Sequence, residues 1–287
     1  MPVIRHTDPD TFLAAVAPMA GRGEASASFF SGWAHMMKIT PPPPDERVYL
    51  ATCTGEGVLG AAIQRDAGPV IVGASDAAAA TAFADDLARD WPQLQGVVGA
   101  EAGCAAFVRR WHGLTGRMHS LRVRLRQHML TAVEDVPAAP GAPRVATDAD
   151  VAWLAAGQAA FIAELGITDS PERVRAMMPR RVALGHFWIW DDPTPVAYAG
   201  FSDAAPDFAR VAPVYTLPDR RGKGYATALV AALSRQLLAR GKRQLFLTTD
   251  AANPPSNAIY ARIGYRAPTR IGIPISWRCR LDATTAK

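Results

Sequence analysis

A run of prolines and small residues, "EDVPAAPGAPRVATDAD" at 134–150, constrains this chain most, because neither a helix nor a central strand can pass through it. Periodic sequence lies on both sides. That places a linker near 136–142 and divides the 287 residues into two domains, 1–135 and 143–287, a comfortable length for two. A second proline-rich piece, "TPPPPDE" at 40–46, reads as a rigid polyproline II loop inside the first half.

The two halves share a grammar. Before the linker, 9–20 and 24–38 have helical character, "RVYLATC" and "EGVLGAAIQR" alternate as strands, and "GPVIVGA" is a short buried run. "DAAAATAFADDLARDW" follows as a helix with Asp76 as N-cap, then "LQGVVGA" as a strand, "AGCAAFVRRWHGLTG" as a helix and "HSLRVRLRQHML" as an alternating strand. After the linker, a helix opens on Asp148 or Asp150 as cap and ends at Gly166. A second helix has Ser170 as N-cap, Pro171 at its first position and Glu172 in its first turn. "HFWIWDD" and "PVAYAGFSDA" form a hairpin, and "FARVAPVYTLP" is a strand interrupted by Pro213. Helix, strand and short helix follow, and "YRAPTR" and "IGIPISWRCRL" close the sheet. The repeated order points to tandem duplication, although no residue-level repeat is visible.

Hydrophobic residues make up 49% and charged residues 20%, enough to bury sizeable cores. The opening "MPVIRHTDPD" has no apolar core of signal-peptide length, and no run approaches the roughly 20 apolar residues of a membrane span. Cys53, Cys104 and Cys279 are far apart and lack metal-ligand spacing, so they are expected to be free thiols in a reducing compartment. The expectation is a cytoplasmic protein without metal or membrane partner. Residues 1–135 carry 12 Lys/Arg against 14 Asp/Glu, whereas residues 136–287 carry 19 against 12. The basic half suits a polyanionic small ligand. Its cations are mostly single and no basic helix interleaves aromatics, so no nucleic-acid partner is expected.

The stretch "LPDRRGKGYATAL" at 217–229 sits between a strand and a helix and has the character of a phosphate grip. A Walker loop needs a glycine five positions before Gly222 and Ser or Thr after Lys223; neither is present. A dinucleotide fingerprint needs glycine at 227, where Thr227 stands. The pattern R/Q-x-x-G-x-G/A is met by Arg221, Gly224 and Ala226, with Gly222 adding backbone freedom. Such a turn lets successive N–H groups face the space before the helix, where the helix adds about half a positive charge. Arg221 and Lys223 can neutralise a pyrophosphate from the flanks.

With this turn in place, the second half, roughly 144–280, resembles the GNAT superfamily of acyl-CoA-dependent N-acyltransferases. The resemblance rests on "VYTLPDRRGKGYATAL" and "TTDAANPPSNAIYARIGYRAP", in that order, the second holding Asn253, Tyr260, Gly264 and Tyr265. It implies an α/β fold of α+β type: tandem GNAT-like domains, each with a central, mostly antiparallel twisted sheet flanked by helices. It also implies acetyl-CoA as donor and a small-molecule or peptide amine as acceptor. Val214, Tyr215 and Thr216 would offer backbone groups to the pantetheine arm. Arg221, Gly222, Lys223, Gly224, Tyr225, Ala226 and Thr227 would wrap the pyrophosphate. Asn253 would contact the arm near its thiol, and Tyr260 would protonate the departing thiolate. The first half then reads as a degenerate, non-catalytic GNAT-like domain that covers the acceptor side, since "VIVGASDAAAA" has neither Arg nor G-x-G.

Attack by a neutral amine on a thioester needs a base, a stabilised oxyanion and an acid for the thiolate. Glu164, at the end of the first helix of the second half, is the candidate base; Asp250 and His186 are rivals, and water-mediated deprotonation is the alternative to all three. Asn257 is read as structural. Trp188 and Trp190 share one strand face, with Phe187 and Ile189 on the other, a pattern that suits core packing. A non-catalytic acyl-CoA sensor is the rival function; it would keep Arg221 to Ala226 and dispense with Tyr260. A monomer or a homodimer is expected.

Overall fold

In the computed structural model, the described residues are 1–21, 25–65, 68–74, 76–166, 171–267 and 275–281. Along the chain run β1 (Val3–His6), α1 (Pro9–Gly21), α2 (Ala25–Ile39), β2 (Val48–Gly55), β3 (Gly57–Arg65), β4 (Val70–Ala74), α3 (Ala77–Asp90), β5 (Gly96–Ala100), α4 (Glu101–Thr115) and β6 (His119–Leu130). Then follow β7 (Ala142–Val145), α5 (Val151–Glu164), α6 (Pro171–Ala183), β8 (Phe187–Asp191), β9 (Pro195–Ala205), β10 (Phe208–Thr216), α7 (Tyr225–Ala239), β11 (Gln244–Asp250), α8 (Pro254–Ile263) and β12 (Ile275–Leu281). Ser170 lies outside the described residues.

The chain packs into two compact units. The first takes residues up to Gln127, Thr248–Asn253 and β12; the second takes His128–Leu247 and Pro254–Arg266. Both sheets are mixed and mostly antiparallel. In the first unit the strands stand in the order β1, β2, β3, β4, β5, β12, β6, with β4 and β5 parallel and β12 antiparallel to both neighbours. In the second the order is β11, β10, β9, β8, β7, with β10 and β11 parallel. The last strand therefore closes the first unit's sheet, not that of the half it ends.

Two strands escape the sequence reading. β1 and β7 are edge strands of four residues, too short to show alternation, and each pairs antiparallel with one neighbour, β2 and β8 respectively. The 136–142 linker is also packed more closely than its composition suggests. Val136 and Ala139 lie against the second unit's core, and Trp190 Nε1–H donates to the Pro140 carbonyl at 2.6 Å.

Each unit buries a core on both faces of its sheet. In the first, Phe12, Phe30 and Met37 form one core from α1 and α2, while Phe83, Phe107 and Trp111 form the other from α3 and α4. In the second, strand alternation sends Phe187 and Ile189 toward α5 and α6, and Trp188 and Trp190 toward α7. The tryptophans thus pack the core. Cys53 and Cys104 are buried free thiols.

Local chemistry explains the helix starts. The Asp76 carboxylate accepts the Ala79 N–H at 2.7 Å and caps α3. At α5 Asp150, one of the two caps the sequence offers, holds the N-cap position, but its side chain makes no capping bond to the helix. A 3-10 turn over Asp148–Asp150 precedes the helix, and Thr147 is the cap of that turn. The Asp150 carboxylate turns back to accept the Thr147 N–H at 2.8 Å and also binds Arg144 at 2.7 and 2.8 Å. Arg144 first, and the Thr147 N–H and hydroxyl after it, hold Asp150 well down, at about 2.

Candidate functional site

The second unit's site begins where two parallel strands part. β10 pairs with β11 only at Phe208–Arg210, yet it continues to Thr216 against β9 on its other side. A register shift between Val211 and Val214 contains Pro213, which the sheet tolerates because it sits at the irregularity. Beyond Arg210 the edge of β10 that carries Val214, Tyr215 and Thr216 has no β11 ladder among the described residues.

The chain then makes one 3-10 turn over Pro218–Arg220 and enters the glycine turn. Gly222 (φ 81°) and Gly224 (φ 84°) are left-handed, a conformation that other residues reach only with strain. A Cβ at Gly222 would meet nothing within 4 Å, and one at Gly224 only the Ala139 Cβ at 3.9 Å. α7 starts on Gly224 without a side-chain cap, and its first helical bond runs from Ala228 N–H to the Gly224 carbonyl at 3.0 Å. The N–H groups of Tyr225, Ala226 and Thr227 therefore precede the helical ladder. Uncapped N–H groups, open space and the helix dipole together make an anion cradle.

Side chains around this cradle divide into anchored and free. Lys223 is exposed and has no ion-pair partner among the described residues. Arg221 is anchored: Nη2 donates to both Glu164 oxygens at 2.8 and 2.9 Å, and Nε to the Thr216 carbonyl at 3.1 Å. Tyr215 donates its hydroxyl to Glu164 at 3.1 Å; burial first, then this carboxylate, raises its pKa. Tyr225 faces two ways. Its ring is buried and its hydroxyl donates to Asp192 of the β8–β9 turn, so only its backbone is offered to the cradle. Thr227 is likewise buried.

Tyr260, on α8, is 8% exposed, and burial raises its pKa to about 12 against the opposing hydrogen bond from Ser256. It keeps its proton at neutral pH, as a proton donor must. Its ring lies 5.9 Å from that of Tyr265 and 6.2 Å from the His128 imidazole.

The remaining candidates are dispersed. Asp250 and Asn253 belong to the first unit's residues: the Asp250 carboxylate accepts the Ala252 N–H at 2.8 Å, and its carbonyl accepts the Asn253 N–H at 3.1 Å. His186 is buried against Phe201, 5.0 Å between ring centroids, and its pKa is lowered by burial and then by Arg181. Glu164 bonds to the turn, as a partner of Arg221 and Tyr215. Sequence reasoning missed Asp192, the last residue of "HFWIWDD", which read only as part of a hairpin. Among the described residues no group of three or more His, Cys, Asp or Glu could hold a metal ion, and no helix is long and apolar enough to cross a membrane.

Residues 156–265 match the family model of the acetyltransferase (GNAT) family. A tandem GNAT protein from the clavulanic acid biosynthesis pathway (without AcCoA) has a TM-score of 0.58 at 16% identity, over 100% of this chain and 99% of its own. A Drosophila protein gives 0.65 at 15% identity, over 99% of both chains. A GNAT-family acetyltransferase from Colwellia psychrerythraea gives 0.59 at 9%, over 98% and 99%. At such identities the likeness is one of fold, and it spans both halves. No curated protein matches the sequence.

Proposed function

We propose, from the premise that residues 156–265 form a domain of the GNAT acetyltransferase family, that this chain transfers an acetyl or other short acyl group from acyl-CoA to a primary amine. One observation carries the reading: an uncapped helix start with two left-handed glycines directly follows a strand edge that has left its parallel partner. The thioester supplies the acyl carbonyl, which the amine attacks directly, giving an amide and free CoA.

The residues present fit such a donor. The N–H groups of Tyr225, Ala226 and Thr227 would take the pyrophosphate, with Gly222 and Gly224 giving access and Lys223 adding charge. Val214, Tyr215 and Thr216 would bind the pantetheine arm through backbone groups, and one N–H of this edge would polarise the carbonyl. Tyr260 would supply the proton that the thiolate takes, a role worth about 10²–10⁴ in rate. No side chain is assigned as base. Glu164 is engaged with Arg221 and Tyr215, so the amine proton is assigned to water.

The test is a panel of amines with acetyl-CoA, following thiol release. Release that requires both an amine and active protein supports the reading. Tight CoA binding with no turnover of any amine would replace it with a non-catalytic acyl-CoA sensor. A soluble small-molecule or peptide amine is the acceptor class proposed.

A further inference from the structure

Arg221 stands at the rim of the cradle with part of its donor set already used. A guanidinium has five N–H groups in a rigid fork. Here Nη2 is held by both Glu164 oxygens and Nε by the Thr216 carbonyl, and the guanidinium also lies against the Tyr215 hydroxyl; of its nitrogens, Nη1 alone makes no geometric hydrogen bond among the described residues. The Tyr215 ring backs the fork, 5.5 Å from its centroid to Cζ, and the Tyr215 hydroxyl fixes Glu164 in turn. The end of α5, the end of β10 beyond its β11 ladder and the glycine turn thereby converge on one arginine, whose unbonded nitrogen is Nη1.

We infer that Glu164 is a positioning residue: it presets Arg221 so that Nη1 is presented to a phosphate of the donor. The inference rests on the reading of the turn as a CoA pyrophosphate site. A free arginine on the surface must lose rotamer freedom when a ligand arrives; one fixed beforehand has already lost it. Glu164 also repels a phosphate, and the two effects oppose each other. The side chains of Arg221 and Glu164 are 49% and 45% exposed, so water and salt screen the repulsion, whereas the fixed geometry is not screened. Positioning therefore outweighs repulsion.

The experiment measures CoA affinity and acetyl-CoA turnover for wild type, Glu164→Ala, Glu164→Gln, Arg221→Ala and the Glu164→Ala/Arg221→Ala pair. S-acetylpantetheine, which lacks the phosphates, serves as the control donor. Glu164→Ala is expected to weaken CoA binding about three- to tenfold. Glu164→Gln should recover most of the loss, because its amide oxygen still accepts from Nη2 and its shape guards against a folding artefact. Turnover of S-acetylpantetheine should not change, and Glu164→Ala should add nothing once Arg221 is removed. CoA binding that is unchanged or tighter in Glu164→Ala overturns the inference and makes Glu164 a competitor for Arg221. A loss of kcat with both donors, together with loss of the acid limb of the pH profile, overturns it in favour of Glu164 as base. Wild type that fails to bind CoA removes the donor reading itself, and this inference with it.

Discussion

Two helices in this chain follow strands that run parallel to the next strand, α3 after β4 and α7 after β10, and they start in opposite ways. β4 ends two residues after Val72, its last residue in the parallel ladder, whereas β10 runs six residues beyond Arg210. α3 opens on the Asp76 carboxylate, which occupies an N–H and puts negative charge where an anion would sit. α7 opens on a left-handed glycine with no side-chain cap. Packing follows the same contrast. A Cβ at Gly73, in β4, would lie 2.5 Å from Phe30 and 2.7 Å from Ser26, whereas Gly222 faces open space. The same fold thus closes a helix start for stability in one unit and leaves it open in the other. A capped start is filled by the chain itself; an open one has no side chain on its N–H groups.

The largest effect that would sharpen this contrast is at Tyr260. Tyr260→Phe should lower turnover about a hundredfold at saturating donor and leave the Kd for CoA unchanged. Unchanged turnover would strip the second unit of its proposed acid. Next, Gly224→Val forces a β-branched residue to positive φ beside the cradle, and calorimetry should show CoA affinity falling about tenfold or more. A third test concerns acid. Asp150, held at about 2 by Arg144, contributes stability that is fully present above the ordinary carboxylate value and is lost as pH falls through about 2. With Arg144 partly exposed, that contribution is on the order of 1–2 kcal/mol, and Asp150→Asn should flatten the acid limb of the unfolding curve by that amount. The smallest effect should come from Asp76→Ala, which costs about 1 kcal/mol in a melt and leaves CoA affinity unchanged. A change in CoA affinity there would break the contrast, since it would give α3 a part in donor binding.

Sequence made both sides of this contrast legible and hid the partners that meet only through packing. Gly222 and Gly224 were readable because left-handed turns select glycine, and Asp76 because caps select short acceptors. Long strands such as β3 and β6 declared themselves by alternation, whereas four-residue β1 and β7 had no room to. The Glu164–Arg221 pair could not be read, because the two lie 57 residues apart and meet only through the packing of α5 on β10. Tyr225 was readable as a turn residue but not as a buried ring tied to Asp192. Likewise Asp150 was readable as a cap position but not as the partner of Arg144, which no local rule supplies.

The place of β12 in the first sheet has a consequence for the chain as it is made. A chain leaves the ribosome from its N-terminus, so β5 and β6 exist long before Ile275–Leu281. Until then the slot between them has two rows of backbone N–H and C=O groups without their strand. Joining ends so distant in sequence is slow, since loop closure must precede the contacts that reward it. The half of the protein that is synthesised first is completed last.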